Sequence, residues 1–131
     1  MTTTSNIRAN FSSIILYARD VEKLKLFYMC AFGFRVIEEQ ADAWVLLDAG
    51  HAQLGLHRMG QDYQIRLQPV DQTHNNVKLV FETEQDINEM RAVLISYDAV
   101  MRKIITFDGY DYWFCDGEDP EGNLFQLKQL K

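Results

Sequence analysis

Cysteine is scarce in this chain. Cys30 and Cys115 are the only two, far apart and in no Cys-x-x-Cys pattern, which leaves neither a disulfide framework nor a zinc knuckle. Cys30 falls inside a helical pattern and reads as a buried small hydrophobe rather than a nucleophile. Basic residues are outnumbered, 13 Lys and Arg against 19 Asp and Glu for a net charge of −6. No basic face is then available for phosphates, which excludes nucleic acid as a main partner. The acidity reads as a solubility device that still permits a cationic ligand. No apolar run approaches the ~18 residues of a membrane span. Residues 1–10 are polar and lack the apolar core of a signal peptide. A reducing, cytoplasmic setting is the expectation. His-Glu-x-x-His, Walker, Gly-x-Gly-x-x-Gly and serine-elbow patterns are missing as well.

What is present is a globular composition, 47% hydrophobic and 24% charged over 131 residues, enough for one domain with its own core. The order of its elements repeats. Ser13–Ala18 is short, β-branched and aromatic, as a strand should be. Asp20 offers a capping carboxylate, Val21, Leu24, Phe27, Tyr28 and Ala31 follow at helical spacing, and Gly33 supplies a stop. Strands are expected at Phe34–Glu38, Ala43–Asp48 and Gln53–Arg58. The second half begins with a strand at Lys78–Thr83, where Val77, Leu79 and Phe81 share one face. Asp86 caps a helix carrying Ile87, Met90, Val93 and Leu94, and strands follow at Val100–Ile105, Tyr110–Cys115 and Leu124–Leu130. The expected division is a flexible N-terminus over 1–10 and a single domain over 11–131. Within it, module one spans 11–58, a linker 59–76 and module two 77–131.

A lone βαβββ unit leaves one sheet face and an edge uncovered, so two copies must complete each other. The expected fold is α+β: two βαβββ modules forming a concave mixed-sheet cleft, with helices on the outer faces. Such a cleft is the natural ligand site.

The residues that open module one, Ser13 to Asp20 followed by Phe27-Tyr28 and Phe32-Gly33-Phe34, resemble the vicinal-oxygen-chelate superfamily of glyoxalases, bleomycin-resistance proteins and extradiol dioxygenases. So does the ending, Asp119-Pro120-Glu121-Gly122-Asn123 and the strand after it. The resemblance spans roughly residues 11 to 130. It implies a divalent metal held by His, Gln or Glu from four strand positions, which fall here on Ser13, Gly55, Lys78 and Gln126. Only Gln126 is an ordinary oxygen ligand, and a lysine at the centre would repel a cation. The usual metal site is therefore read as absent, with no cofactor expected. His51 and His57 do not replace it: six strand residues at ~3.3 Å each put them about 20 Å apart. His74 lies in the linker.

Strand parity names the rest of the cleft. Ile15 and Tyr17 should share a face with Ser13, Gln53 and His57 with Gly55, Val80 and Glu82 with Lys78, and Leu124 and Lys128 with Gln126. Ile14, Leu16, Leu79 and Phe81 should face the helices. Lys78 and Glu82 could pair with each other or with a zwitterionic ligand. Trp44, Trp113, Tyr110 and Tyr112 could stack on a ligand or belong to the core. Two readings follow. The preferred one is a metal-independent, non-catalytic protein that sequesters an aromatic or cationic small molecule. The alternative is a glyoxalase-like lyase, isomerase or dioxygenase with an atypical site, in which His57 or Glu82 could serve as acid or base. A homodimer is expected, because related folds commonly complete their clefts across two chains.

Overall fold

Strand β1 (Ser13–Ala18) runs into helix α1 (Val21–Phe32), followed by β2 (Arg35–Gln40), β3 (Trp44–Asp48) and β4 (Gln53–Arg58). The same order returns as β5 (Leu79–Glu82), helix α2 (Ile87–Ser96), β6 (Val100–Ile105), β7 (Tyr112–Glu118) and β8 (Leu124–Leu130). The computed structural model describes residues 7–60 and 76–131, so the expected linker lies mostly outside the described residues, as does most of the expected flexible N-terminus. Each module is a four-stranded mixed sheet, ordered β1-β4-β3-β2 and β5-β8-β7-β6. In each, the first strand lies parallel to the last, and the other pairings are antiparallel. The chain therefore has the two-module α+β fold that its internal repeat predicts.

Local chemistry sets the helix ends. Asp20 accepts a hydrogen bond from the Lys23 N–H at 3.0 Å, and Asp86 accepts from the N–H groups of Asn88 and Glu89. These satisfy donors that the first helical turn leaves unpaired. Gly33 ends α1 at φ 75°, and its N–H reaches the Met29 carbonyl, a left-handed stop that glycine adopts without strain. Cys30 corrects the sequence reading. The buried stripe of α1 is Val21, Leu24, Phe27, Tyr28 and Ala31, so Cys30 falls just outside that stripe and is exposed.

One face of each sheet is apolar and covered. Leu54, Leu56, Val45 and Leu47 pack under α1, while Leu127, Phe125 and Cys115 join Ile87, Met90 and Leu94 of α2. Helix α1 is not confined to its own module: the rings of Phe27 and Phe32 meet Phe125, and Phe32 lies 4.7 Å from Phe81. The two modules thus share one core on their helix sides.

Several strand boundaries shift: β2 runs on to Gln40, β3 starts one residue late at Trp44, and β5 is Leu79–Glu82 with Lys78 just before it. Two further shifts bear on the packing. Phe34 leaves β2 because it turns inward to stack on Tyr28 and Phe32. The strand expected at Tyr110–Cys115 is Tyr112–Glu118. Tyr110 closes a turn on the Phe107 carbonyl through Gly109 at φ 86°, and Asp116, Gly117 and Glu118 all pair with β8. This shift brings Asp116 into the sheet, with consequences for the site.

Candidate functional site

The face of each sheet turned away from its helix carries the residues expected to form a ligand cleft. In module one, β1 and β4 lie in register, with Ser13 beside Gln53, Ile15 beside Gly55 and Tyr17 beside His57. Ile14 and Leu16, of opposite parity, pack against the core. Ile15 is 47% and Tyr17 60% exposed. Aromatic groups dominate this open face. Tyr17 meets His57 edge-on at 5.6 Å, and Trp44 lies 6.1 Å from the same imidazole. The benzo edge of Trp44 sits directly over Gly55. A Cβ placed there would lie 2.8 Å from the Trp44 Cζ3 and 3.2 Å from the Ile15 Cγ1, and nearer still to the Trp44 Cη2. Glycine at 55 is thus what lets the indole lie down on the sheet. Trp44 was considered as a stacking surface from sequence; its seat on Gly55 was not foreseen.

The open face of module two is charged as well as aromatic. Val80 pairs with Gln126 and Glu82 with Lys128 across the parallel β5–β8 ladder, while Asp116 faces Gln126 and Phe114 faces Lys128 across β7–β8. Lys78 does not pair with Glu82, contrary to one sequence expectation. Its ammonium donates to Asp116 Oδ2 at 2.9 Å, and the Gln126 Nε2 donates to Asp116 Oδ1 at 2.9 Å. Glu82 has Lys128 as its nearest cation, at 3.8 Å. Lys128 also lies 4.6 Å above the Tyr112 ring. Asp116 is the site residue that sequence reasoning missed. The signal was present in the alternation Tyr112, Phe114, Asp116 opposite Lys128 and Gln126, but the strand was expected to stop at Cys115. Trp113 and Cys115 have the other parity. Burial pushes the Cys115 thiol up from its usual value, and its Sγ donates to the Arg102 carbonyl, so it is no nucleophile.

The resemblance places metal ligands at Ser13, Gly55, Lys78 and Gln126, and the geometry there does not fit a divalent cation. Gly55 offers no donor and lies beneath the Trp44 indole. Lys78 brings a positive charge already paired with Asp116, and the Gln126 amide is tied to the same carboxylate. Among the described residues, no group of three or more His, Cys, Asp or Glu side chains is placed to hold a metal.

The Asp119-Pro-Glu-Gly-Asn turn does something other than chemistry. Asp119 is 2% exposed. It accepts from the Tyr28 hydroxyl at 2.7 Å, from the N–H groups of Glu121 and Asn123, and from the Asn123 side-chain amide. Glu121 reaches back to accept from the N–H groups of Arg19 and Asp20. The turn that begins β8 therefore latches the second module onto the β1–α1 junction of the first. Burial raises the Asp119 carboxyl above its usual range despite these hydrogen bonds, and burial also raises the Tyr28 phenol, with the Asp119 charge adding to it.

Among the described residues, the hydrogen bonds and ring contacts between the modules lie on the helix side, through this latch and through the Phe27, Phe32, Phe34, Phe81 and Phe125 rings. Among the described residues, no hydrogen bond, ion pair or ring contact joins one open face to the other.

No protein-family model matches the chain, and no curated protein matches it. Solved structures do. A glyoxalase/bleomycin resistance protein/dioxygenase family enzyme from Burkholderia phytofirmans PsJN superimposes with a TM-score of 0.77 at 22% identity, covering 94% of this chain and 100% of that one. Lactoylglutathione lyase from Agrobacterium tumefaciens gives 0.65 at 15% identity, over 94% of this chain and 95% of its own. TioX from Micromonospora sp. ML1 gives 0.68 at 16% identity, over 94% and 100%. The fold is that of the vicinal-oxygen-chelate proteins, as the sequence resemblance implied.

Proposed function

We propose that this protein binds a small aromatic or cationic molecule on its open sheet faces without a metal, and acts by sequestration rather than catalysis. The observation that carries the reading is the replacement of a ligand set by an aromatic seat and an ion pair. Trp44 lies over Gly55 where a coordinating side chain would project, and Lys78 holds Asp116 and, through it, Gln126. Metal in this fold supplies Lewis-acid polarisation of a substrate oxygen; the Lys78 ammonium, held by Asp116, can instead only donate hydrogen bonds. Tyr17, Trp44 and His57 instead supply ring surface, with Ser13, Ile15 and Gln53 beside them. Val80, Glu82 and Gln126 line the other face, with Lys78 joined to it through Asp116.

We further propose that two copies complete the cleft as a homodimer. Among the described residues, each sheet leaves two edge strands unpaired, β1 and β2 in one and β5 and β6 in the other. The open faces also leave Tyr17 60% and Val80 52% exposed. A second copy would cover both.

Elemental analysis and thermal melts test the first part. The purified protein is expected to carry no stoichiometric transition metal and to gain no melting temperature from Ni²⁺, Zn²⁺, Mn²⁺ or Fe²⁺. One tightly bound metal per chain, lost on Gln126→Ala, would overturn it. A thermal-shift screen of aromatic compounds should return binders. Sedimentation at micromolar concentration tests the second part, and a species of about 15 kDa there sinks the shared cleft.

A further inference from the structure

The module-two face has an asymmetry in its unused hydrogen-bonding capacity. Both oxygens of Asp116 are engaged, one by Lys78 and one by Gln126. Glu118 is buried and its carboxylate is taken by Arg102 at 2.8 Å. Lys78 uses one of its three N–H donors on Asp116, and its side chain is 40% exposed. An ammonium always has three donors and no acceptor, so two are left for a ligand among the described residues. Because a carboxylate can only accept, the Gln126 amide is pinned with its nitrogen towards Asp116, and its carbonyl is left as a neutral acceptor. Glu82 is the competing anion, and it lies at the far end of β5 beside Lys128.

Ring surface lies on the same sheet face, with Lys128 registered opposite Phe114 and Lys78 one step further along, on Asp116. Phe114 is two residues from Asp116 on the same face of β7, about 7 Å along the strand. It contacts Tyr112 at 6.3 Å and Tyr110 at 6.2 Å between ring centroids. A flat ring lying against Phe114 and extending along β7 towards Asp116 would carry a substituent towards the Lys78 ammonium that Asp116 holds.

Resting on the binding reading above, we infer that the ligand is a planar aromatic bearing an anionic oxygen, a carboxylate or phenolate, which Lys78 takes while Asp116 and Gln126 hold it in place. Lys78 serves as a fixed monovalent cation for the oxygen. The binding is non-covalent and the ammonium keeps its proton throughout.

Three probes of one ring system test this by isothermal titration at pH 7: 1-naphthoate, neutral 1-naphthamide and cationic 1-naphthylmethylamine. Naphthoate is expected to bind at least tenfold more tightly than the other two. Lys78→Met should abolish that preference, Lys78→Arg should retain most of it, and Phe114→Leu should weaken all three alike. If the amine binds best, or all three bind equally, the anionic assignment falls while the aromatic-binding reading stands. A naphthoate preference that survives Lys78→Met but disappears in Lys128→Met refutes the role given to Lys78. Failure of all three probes to bind at millimolar concentration overturns the binding reading and this inference together.

Discussion

Gly55→Ala is the smallest change that interrogates the site. The added methyl carbon would lie 2.8 Å from the Trp44 Cζ3 and 3.2 Å from the Ile15 Cγ1, closer than carbon atoms pack. The backbone there is ordinary strand, so no φ strain opposes alanine, and the clash alone sets the sign. Overpacking of this kind costs about 1–3 kcal/mol. Trp44 is only half-buried, so its indole can swing towards solvent, and the cost should sit near 1–2 kcal/mol. For a chain of this size that is a fall of roughly 4–8 °C in melting temperature. The chain has two tryptophans, Trp44 and Trp113. A Trp113→Phe background therefore isolates Trp44 emission, which should shift to the red and become easier to quench. In a Trp44→Leu background the indole is gone, only the milder 3.2 Å approach of the Ile15 Cγ1 is left, and the penalty should vanish or reverse. Alanine then has the lower conformational-entropy cost, and Gly55→Ala becomes neutral or stabilising by about 0.5–1 kcal/mol. Unchanged emission and melting in Gly55→Ala, or the same penalty in both backgrounds, would show that the indole does not lie on Gly55. The aromatic seat would be lost with it.

Three other outcomes are expected. Leu16→Ala and Phe81→Ala, whose side chains pack against the core, should cost about 2–4 kcal/mol, whereas Tyr17→Ala and Val80→Ala should stay within about 0.5 kcal/mol in thermal melts at low protein concentration; the reverse ordering would mean the strand faces are exchanged. Tyr28→Phe should cost about 1.5–3 kcal/mol at neutral pH by removing a hydrogen bond from a buried carboxylate. Because the folded pKa of Tyr28 is raised above the usual 10.0, the folded state keeps its proton while the unfolded state loses it. The wild-type advantage is full below pH 10.0 and shrinks as pH rises beyond it, so a gap between wild type and Tyr28→Phe that widens in alkali contradicts the latch. Asp119 is also raised in the folded state, so its contribution is most favourable below its unfolded pKa and declines as pH rises through the folded one; melts of wild type against Asp119→Asn should therefore differ most on the acid side, and an advantage that grows towards neutral pH would refute this.

Much of the molecule was legible without coordinates because its signals are local. Asp20, Gly33 and Asp86 mark helix ends by chemistry confined to a few residues. Strand alternation separated Leu79 and Phe81 from Val80 and Glu82 because successive side chains must point to opposite faces. The repeat itself implied two modules, since one βαβββ unit cannot bury its own sheet. Other features needed the third dimension. Cys30 was misplaced because one helical position beside a buried stripe can fall on either side of it. Whether Lys78, just before β5, pairs with Glu82 at the end of that strand or with Asp116 two strands away depends on register and reach, which no single segment specifies. Asp119 looked like a turn residue, and only the packing of α1 against β8 made it the acceptor for Tyr28, 91 positions earlier. Gly55 was visible as an absent ligand. That it is the floor beneath Trp44 was decided by two neighbouring strands meeting in register, because a residue without a side chain acquires its meaning from what fills the space.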